Sequence, residues 1–139
     1  MMNYKIIGKY IKDLRFRIPN PKTFFLLSEN ISNYKINVDI KSEQIKENII
    51  EVLTAINLTP TINYNDQIET KIVYSAIIEL NDKMEKQQLE KIVLIEVPTE
   101  IYSELRRIFV SLFENSGFKN IKINEKVDFR QLYDSRNIQ

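Results

Sequence analysis

The chain has 139 residues, 43% of them hydrophobic, with 20 basic against 19 acidic side chains and no histidine or cysteine. That length fits one domain over residues 1–139, and the absent residue types remove the commonest general base, the best nucleophile and the two main transition-metal ligands. Only Gly8 and Gly117 occur, so no glycine-rich loop can cradle a phosphate, and the near-neutral balance draws neither nucleic acid nor anionic lipid from a distance.

From Tyr4 to Ile18 the even positions Tyr4, Ile6, Gly8, Tyr10, Lys12, Leu14, Phe16 and Ile18 alternate with a mostly charged odd set, which predicts a half-buried strand. Pro19-Asn20-Pro21 ends it. Phe24-Phe25-Leu26-Leu27 reads as a short apolar anchor, and Ser28 to Asn33 as polar connector. A second strand is predicted at Ile36, Val38 and Ile40, then a polar link from Glu43 to Asn48. Ile50, Val52, Thr54, Ile56 and Leu58 define one face of a third strand, and Ile68 to Leu80 alternates in the same way as a fourth, with Asn63-Tyr64-Asn65-Asp66 as the turn between them. Short connections imply antiparallel neighbours.

After Asn81-Asp82 the apolar period changes to that of a helix. Met84, Leu89, Ile92, Val93 and Val97 form a loose stripe that Pro98 is expected to end or kink. Thr99 is positioned to cap a second helix with Ile101, Leu105, Ile108, Phe109, Leu112 and Phe113 on its apolar side. Gly117 suits the left-handed position after its end, and Phe113 with Phe118 makes the apolar pair of a Schellman stop. Asp128 caps a last short helix through Tyr133. The fold class expected is therefore α+β, a four-stranded antiparallel sheet with C-terminal helices on one face.

Acidic residues lie scattered among lysines, which predicts no carboxylate pair for glycoside hydrolysis and no Mg²⁺ cage. The expectation is a protein without catalytic residues, metal or cofactor. Asn3, Lys5, Lys9 and Lys12 interrupt the opening segment, so it does not read as a secretory signal, and no apolar run approaches the roughly 20 residues of a bilayer span. A cytoplasmic protein without membrane insertion is expected.

Two stretches carry a resemblance. Tyr10-Ile11-Lys12-Asp13-Leu14-Arg15-Phe16-Arg17-Ile18-Pro19-Asn20-Pro21 resembles the first strand and exit turn of the SecB-type protein-export chaperones, where the pattern is Tyr/Ile-x-Lys-Asp-Ile/Leu-Ser-Phe-Glu-x-Pro. Phe118, Ile121 and Ile123, followed by Val127-Asp128-Phe129-Arg130-Gln131-Leu132-Tyr133, are similar to that family's helix-connecting loop and its Val-Asn-Phe-Asp-x-Leu-Phe signature. The resemblance implies an ATP-independent holdase that binds unfolded preproteins in grooves floored by the sheet. It also implies assembly as a homotetramer, a dimer of dimers, with a SecA-type translocation ATPase receiving the cargo.

On that resemblance Phe24, Phe118, Ile121, Ile123, Phe129 and Tyr133 are the groove candidates, against the plainer reading that an aromatic stripe is packing. Ile101, Leu105, Ile108, Phe109 and Leu112 are the oligomer-interface candidates, the plainer reading being that they cover their own sheet. Asp13, Arg17 and Ser75 mark the face where relatives dock the ATPase through acidic residues; Arg15, Arg17 and Ser75 depart from the family's serine and two glutamates there. The alternative function is an antitoxin-linked relative of the same fold or an adaptor for a single partner.

Overall fold

The computed structural model describes residues 3–29, 34–60, 68–118 and 127–138. Four antiparallel strands, β1 (Tyr4–Arg17), β2 (Tyr34–Lys46), β3 (Ile49–Pro60) and β4 (Glu69–Leu80), form one sheet in the order β1-β4-β3-β2. β1 therefore pairs with the last strand, and β1 and β2 are the two edges. This is a Greek-key order, in which the first strand returns beside the fourth. The expected α+β class with helices on one sheet face is what the chain adopts.

The β3 and β4 alternation is as regular as the sequence predicts: Ile50, Val52, Ile56, Ile72, Ala76 and Ile78 are buried on the helix side. β2 is longer than its apolar triplet suggested. It runs on through Lys46 to a two-residue turn at 47–48, with one register shift between Gln44 and Lys46, so the polar link expected from Glu43 is strand.

β1 departs from simple alternation. Its pairing with β4 shifts between Ile6 and Gly8 and again between Ile11 and Asp13. Each bulge inserts one residue and so exchanges the two faces. Tyr4 and Ile6 share the helix side with Leu80 and Ile78, Lys9 and Ile11 with Ala76 and Tyr74, and Leu14 and Phe16 with Ile72 and Thr70. The even-numbered face predicted for the whole strand is thus correct at its ends and reversed from Gly8 to Lys12. The reversal brings Lys9 to α3 and places Tyr10 and Lys12 on the outer face.

The segment after β1 is a helix, α1 (Pro21–Glu29), where an apolar anchor and polar connector were expected. Asn20 caps it: the Thr23 amide donates to Asn20 Oδ1 at 2.8 Å, and Pro21 occupies the first helical position, where a missing N–H costs nothing.

Pro98 does not end the next helix. α2 (Lys86–Lys91) passes through a π-helical turn (Ile92–Glu96) into α3 (Val97–Asn115) without leaving helical geometry. The wider turn lies just where proline removes a donor and crowds the preceding carbonyls. Thr99 is correspondingly not a cap; its hydroxyl donates back to the Ile95 carbonyl at 2.6 Å. α3 ends as expected, with the Phe118 amide on the Phe113 carbonyl at 3.0 Å and the Gly117 amide on Glu114 at 3.2 Å, Gly117 having φ +95°. Asp128 Oδ1 accepts from the Gln131 amide at 3.0 Å and opens α4 (Phe129–Ile138).

α3 is tied to the sheet by polar groups as well as by its buried stripe. Tyr4 Oη donates to Glu100 at 2.8 Å, while Lys9 Nζ at 2.6 Å and Tyr74 Oη at 2.8 Å share Glu104. Lys9 and then Tyr74 hold the Glu104 carboxyl below its ordinary range, and burial followed by the Glu100 bond raises the Tyr4 hydroxyl. These contacts fix β1 and α3 side by side and running in the same direction.

Candidate functional site

The aromatic groups gather where α1 meets the end of α3. Phe113 lies 5.1 Å from Phe16, 5.1 Å from Phe109 and 5.7 Å from Phe118 between ring centroids; Phe24 lies 4.7 Å from Phe118 and 5.6 Å from Phe25. Gly117 lies against this stack, where a Cβ would make ordinary contact with the Phe24 ring at 3.5 Å; its φ of +95°, not crowding, is what favours glycine. At α4, Phe129 packs edge-on to Tyr102 at 6.0 Å and Tyr133 Oη reaches Glu90 at 3.4 Å.

The six groove candidates separate on burial. Phe118, Phe129 and Tyr133 are buried in the core of the single chain, and Phe24 is half-buried. Ile121 and Ile123 lie outside the described residues. The apolar groups open to solvent beside them are Phe25, 60% exposed, and Leu132, 49% exposed. Sequence reading singled out neither as a contact residue. The available signal was helical geometry: adjacent side chains on a helix point about 100° apart, so Phe24 and Phe25 cannot both turn inward.

Between the β2–β3 hairpin and α2 runs an open depression of about 310 Å³. Its floor is Ile50, Leu89, Val93 and Leu94, and its rim is Ser42, Gln44, Lys86 and Glu90. β2 flanks it as an edge strand, with one side of its backbone free of any neighbouring strand in the sheet.

Of the interface candidates, Ile101, Leu105 and Phe109 are almost fully buried against the chain's own core, and Ile108 and Leu112 are half-buried. On the helix side of the β1 edge, Ile11 and Leu14 are 44% and 40% exposed. They fall between the Lys9–Glu104 and Phe16–Phe113 contacts, and so alongside the Ile108 and Leu112 turns of α3.

On the outer sheet face, Arg17 is exposed, with Glu69 at 3.9 Å, and Asp13 is half-buried, 3.5 Å from Arg15. Ser75 is completely buried and donates to Glu51 at 2.8 Å. Glu51, which sequence reading did not single out, is the centre of this face: it also accepts from Lys12 Nζ at 2.8 Å and from Tyr10 Oη. Lys12 first, then Tyr10, hold its carboxyl down to about 2. A depressed carboxyl stabilises the fold above the unfolded-state value near 4.3 and loses that stabilisation as pH falls toward 2. Glu51→Gln is therefore expected to lower unfolding free energy by about 1 kcal/mol at pH 7, a figure reduced because Lys12 and Tyr10 reach water. The gap between wild type and variant should close by pH 2. Urea midpoints across that range check it; a gap independent of pH sinks the assignment.

Among the described residues no group of three acidic side chains is placed to hold a metal ion, and no helix is long and apolar enough to cross a membrane. The architecture is a four-stranded sheet covered on one face by a long helix and fringed by apolar openings. The family described as preprotein translocase subunit SecB matches residues 1–139, and the chain belongs to the SecB family. A relative from Pelagibacter ubique (strain HTCC1062) is 39% identical over 135 residues, covering 96% of each chain. The protein-export protein SecB of Anaplasma marginale (strain Florida) is 26% identical, over 95% of this chain and 81% of its own. In fold, the chain is similar to the Mycobacterium tuberculosis SecB-like chaperone Rv1957, solved with a ChAD peptide from the HigA1 antitoxin: TM-score 0.63, 11% identity, covering 88% of this chain and 90% of the other.

Proposed function

We propose that this SecB-family chain is an ATP-independent holdase that keeps unfolded preproteins extended for export, acting as a homotetramer built as a dimer of dimers. The observation that carries the reading is the pairing of open apolar groups with a buried aromatic wall. Phe25 packs against Phe24, which in turn stacks on Phe118, and Leu132 lies on the same helix as Phe129 and Tyr133. Apolar contact of this kind is non-directional and tolerates many sequences, while the free edge of β2 beside its depression offers backbone bonds to any extended chain. Affinity for the unfolded state then competes with folding and aggregation by mass action.

In this reading Phe24, Phe118, Phe129 and Tyr133 back the groove, Phe25 and Leu132 touch the client, and Ile121 and Ile123 contribute on their sequence pattern alone. A SecA-type translocation ATPase is the recipient, meeting the outer sheet face near Asp13 and Arg17; Ser75 acts there only through Glu51.

The test is suppression of aggregation of a chemically unfolded reporter protein, without nucleotide. Phe25→Ser combined with Leu132→Ser is expected to weaken capture about thirtyfold, each exposed apolar group losing on the order of 1 kcal/mol of contact, with the circular dichroism spectrum unchanged. Undiminished suppression would place capture elsewhere. Binding of one folded partner without suppression of the reporter would favour the antitoxin-linked or adaptor role.

A further inference from the structure

The outer sheet face carries a depression of about 240 Å³ that the client groove does not use, and its rim shares Asp13 with the face proposed for the ATPase. Leu53, Ala55 and Val73 form its apolar floor. Lys41 and Lys71 stand at opposite corners of its rim, with Lys12, Asp13 and Asp39 between them. The cross-strand pairs place Lys41 in a row with Leu53 and Ser75, Asp39 with Ala55 and Val73, and Asn57 with Lys71. Lys41 and Lys71 are thus two strands apart and four residues apart along the strands, a diagonal of roughly 16 Å from strand spacing and rise.

The rim charges are not equally available. Lys12 is engaged by Glu51 at 2.8 Å, and Asp13 has Arg15 at 3.5 Å. Among the described residues, no carboxylate lies within ion-pair distance of Lys41 or Lys71. Both lysines are exposed, while the floor between them is half-buried. Asp39 is the remaining unpaired charge, and it repels a carboxylate from the β2 end of the middle row.

We infer that this cradle docks an acidic linear peptide segment of a partner protein: two carboxylates four residues apart in an extended chain, which places both on one face, one for each long lysine side chain, flanking an aliphatic side chain that covers Leu53, Ala55 and Val73. The charge arrangement selects against a basic segment, and the apolar floor distinguishes the ligand from a bare polyanion. Such a site adds partner selectivity to a chain whose other openings are indifferent to sequence, and it stands on different residues from the groove.

The probe is a fluorescein-labelled synthetic peptide with two glutamates four positions apart and a leucine midway between them on the same face, titrated by anisotropy against the full-length native protein. The glutamine version is expected to bind about five- to tenfold more weakly, and Lys41→Glu with Lys71→Glu to weaken the glutamate peptide at least tenfold, both effects shrinking with added salt. The double variant should keep the wild-type urea midpoint and full aggregation suppression. Equal binding of the glutamine peptide, or unchanged affinity of the double variant, overturns the site. Displacement by a single-stranded oligonucleotide of equal charge would show general polyanion binding instead, and loss of aggregation suppression in the lysine variant would fold the cradle into the client groove; either outcome overturns the proposal.

Discussion

Replacing Phe113 by alanine is expected to lower the unfolding free energy by about 3–5 kcal/mol, the range for emptying a buried phenylalanine site. Phe113 is 1% exposed and is the residue through which β1, the end of α3 and the aromatic stack at α1 communicate, touching Phe16, Phe109 and Phe118. Its carbonyl also accepts the Phe118 amide that closes the helix. The site cannot collapse easily, because rings on three sides are held by separate elements. Set against a typical total of about 5–15 kcal/mol, the loss is a large fraction of the whole. Phe25→Ala removes the same side chain from the outer end of the same stack, where it is 60% exposed, and should cost within about 0.5 kcal/mol. Urea denaturation of both variants at one fixed protein concentration separates them, since the proposed assembly would also contribute to apparent stability. Equal midpoints for the two would show that the stack does not carry the fold.

The contrast between those two phenylalanines shows what could be read from the chain and what could not. β3 and β4 were legible because their alternation is unbroken, and the stop at Gly117 and the cap at Asp128 because each is a local motif with its own chemistry. The bulges in β1 were hidden because one extra residue changes which face a side chain takes without disturbing the alternation around it; only the β4 register reveals them. The same applies to the placement of β1 beside β4, a choice made by contacts more than fifty residues apart. Asn20-Pro21 is itself a helix-start signal, but the same prolines equally fit the end of a strand. Pro98 misled for the opposite reason: the rule is sound, and the π turn before it absorbs the consequence. At the candidate site, residue type gave the aromatic set, whereas exposure depends on packing. That dependence is why Phe118, Phe129 and Tyr133 are buried in the single chain while Phe25 and Leu132 stand open.

The same dependence sharpens the assembly proposal. Because Ile101, Leu105 and Phe109 are buried within their own chain, a charge there would unfold the protomer and report nothing about oligomers. Ile108 and Leu112 keep surface, and they lie alongside Ile11 and Leu14 on a β1 edge that has no neighbouring strand. A long edge with exposed apolar groups is a liability for a free monomer and suits burial against a second copy. Ile108→Asp with Leu112→Asp is expected to reduce the proposed tetramer to smaller species at micromolar concentration, since an unpaired charge in a packed interface costs about 3–5 kcal/mol. The protomer should lose much less, because both side chains already reach water. Sedimentation velocity of wild type and variant, read beside their circular dichroism spectra, makes the distinction. A monomeric wild type would end the tetramer proposal, and a folded variant of unchanged size would move the contact to another face. A variant that dissociates while keeping its spectrum would assign the half-open side of α3 to assembly, leaving the α1 and α4 openings to the client.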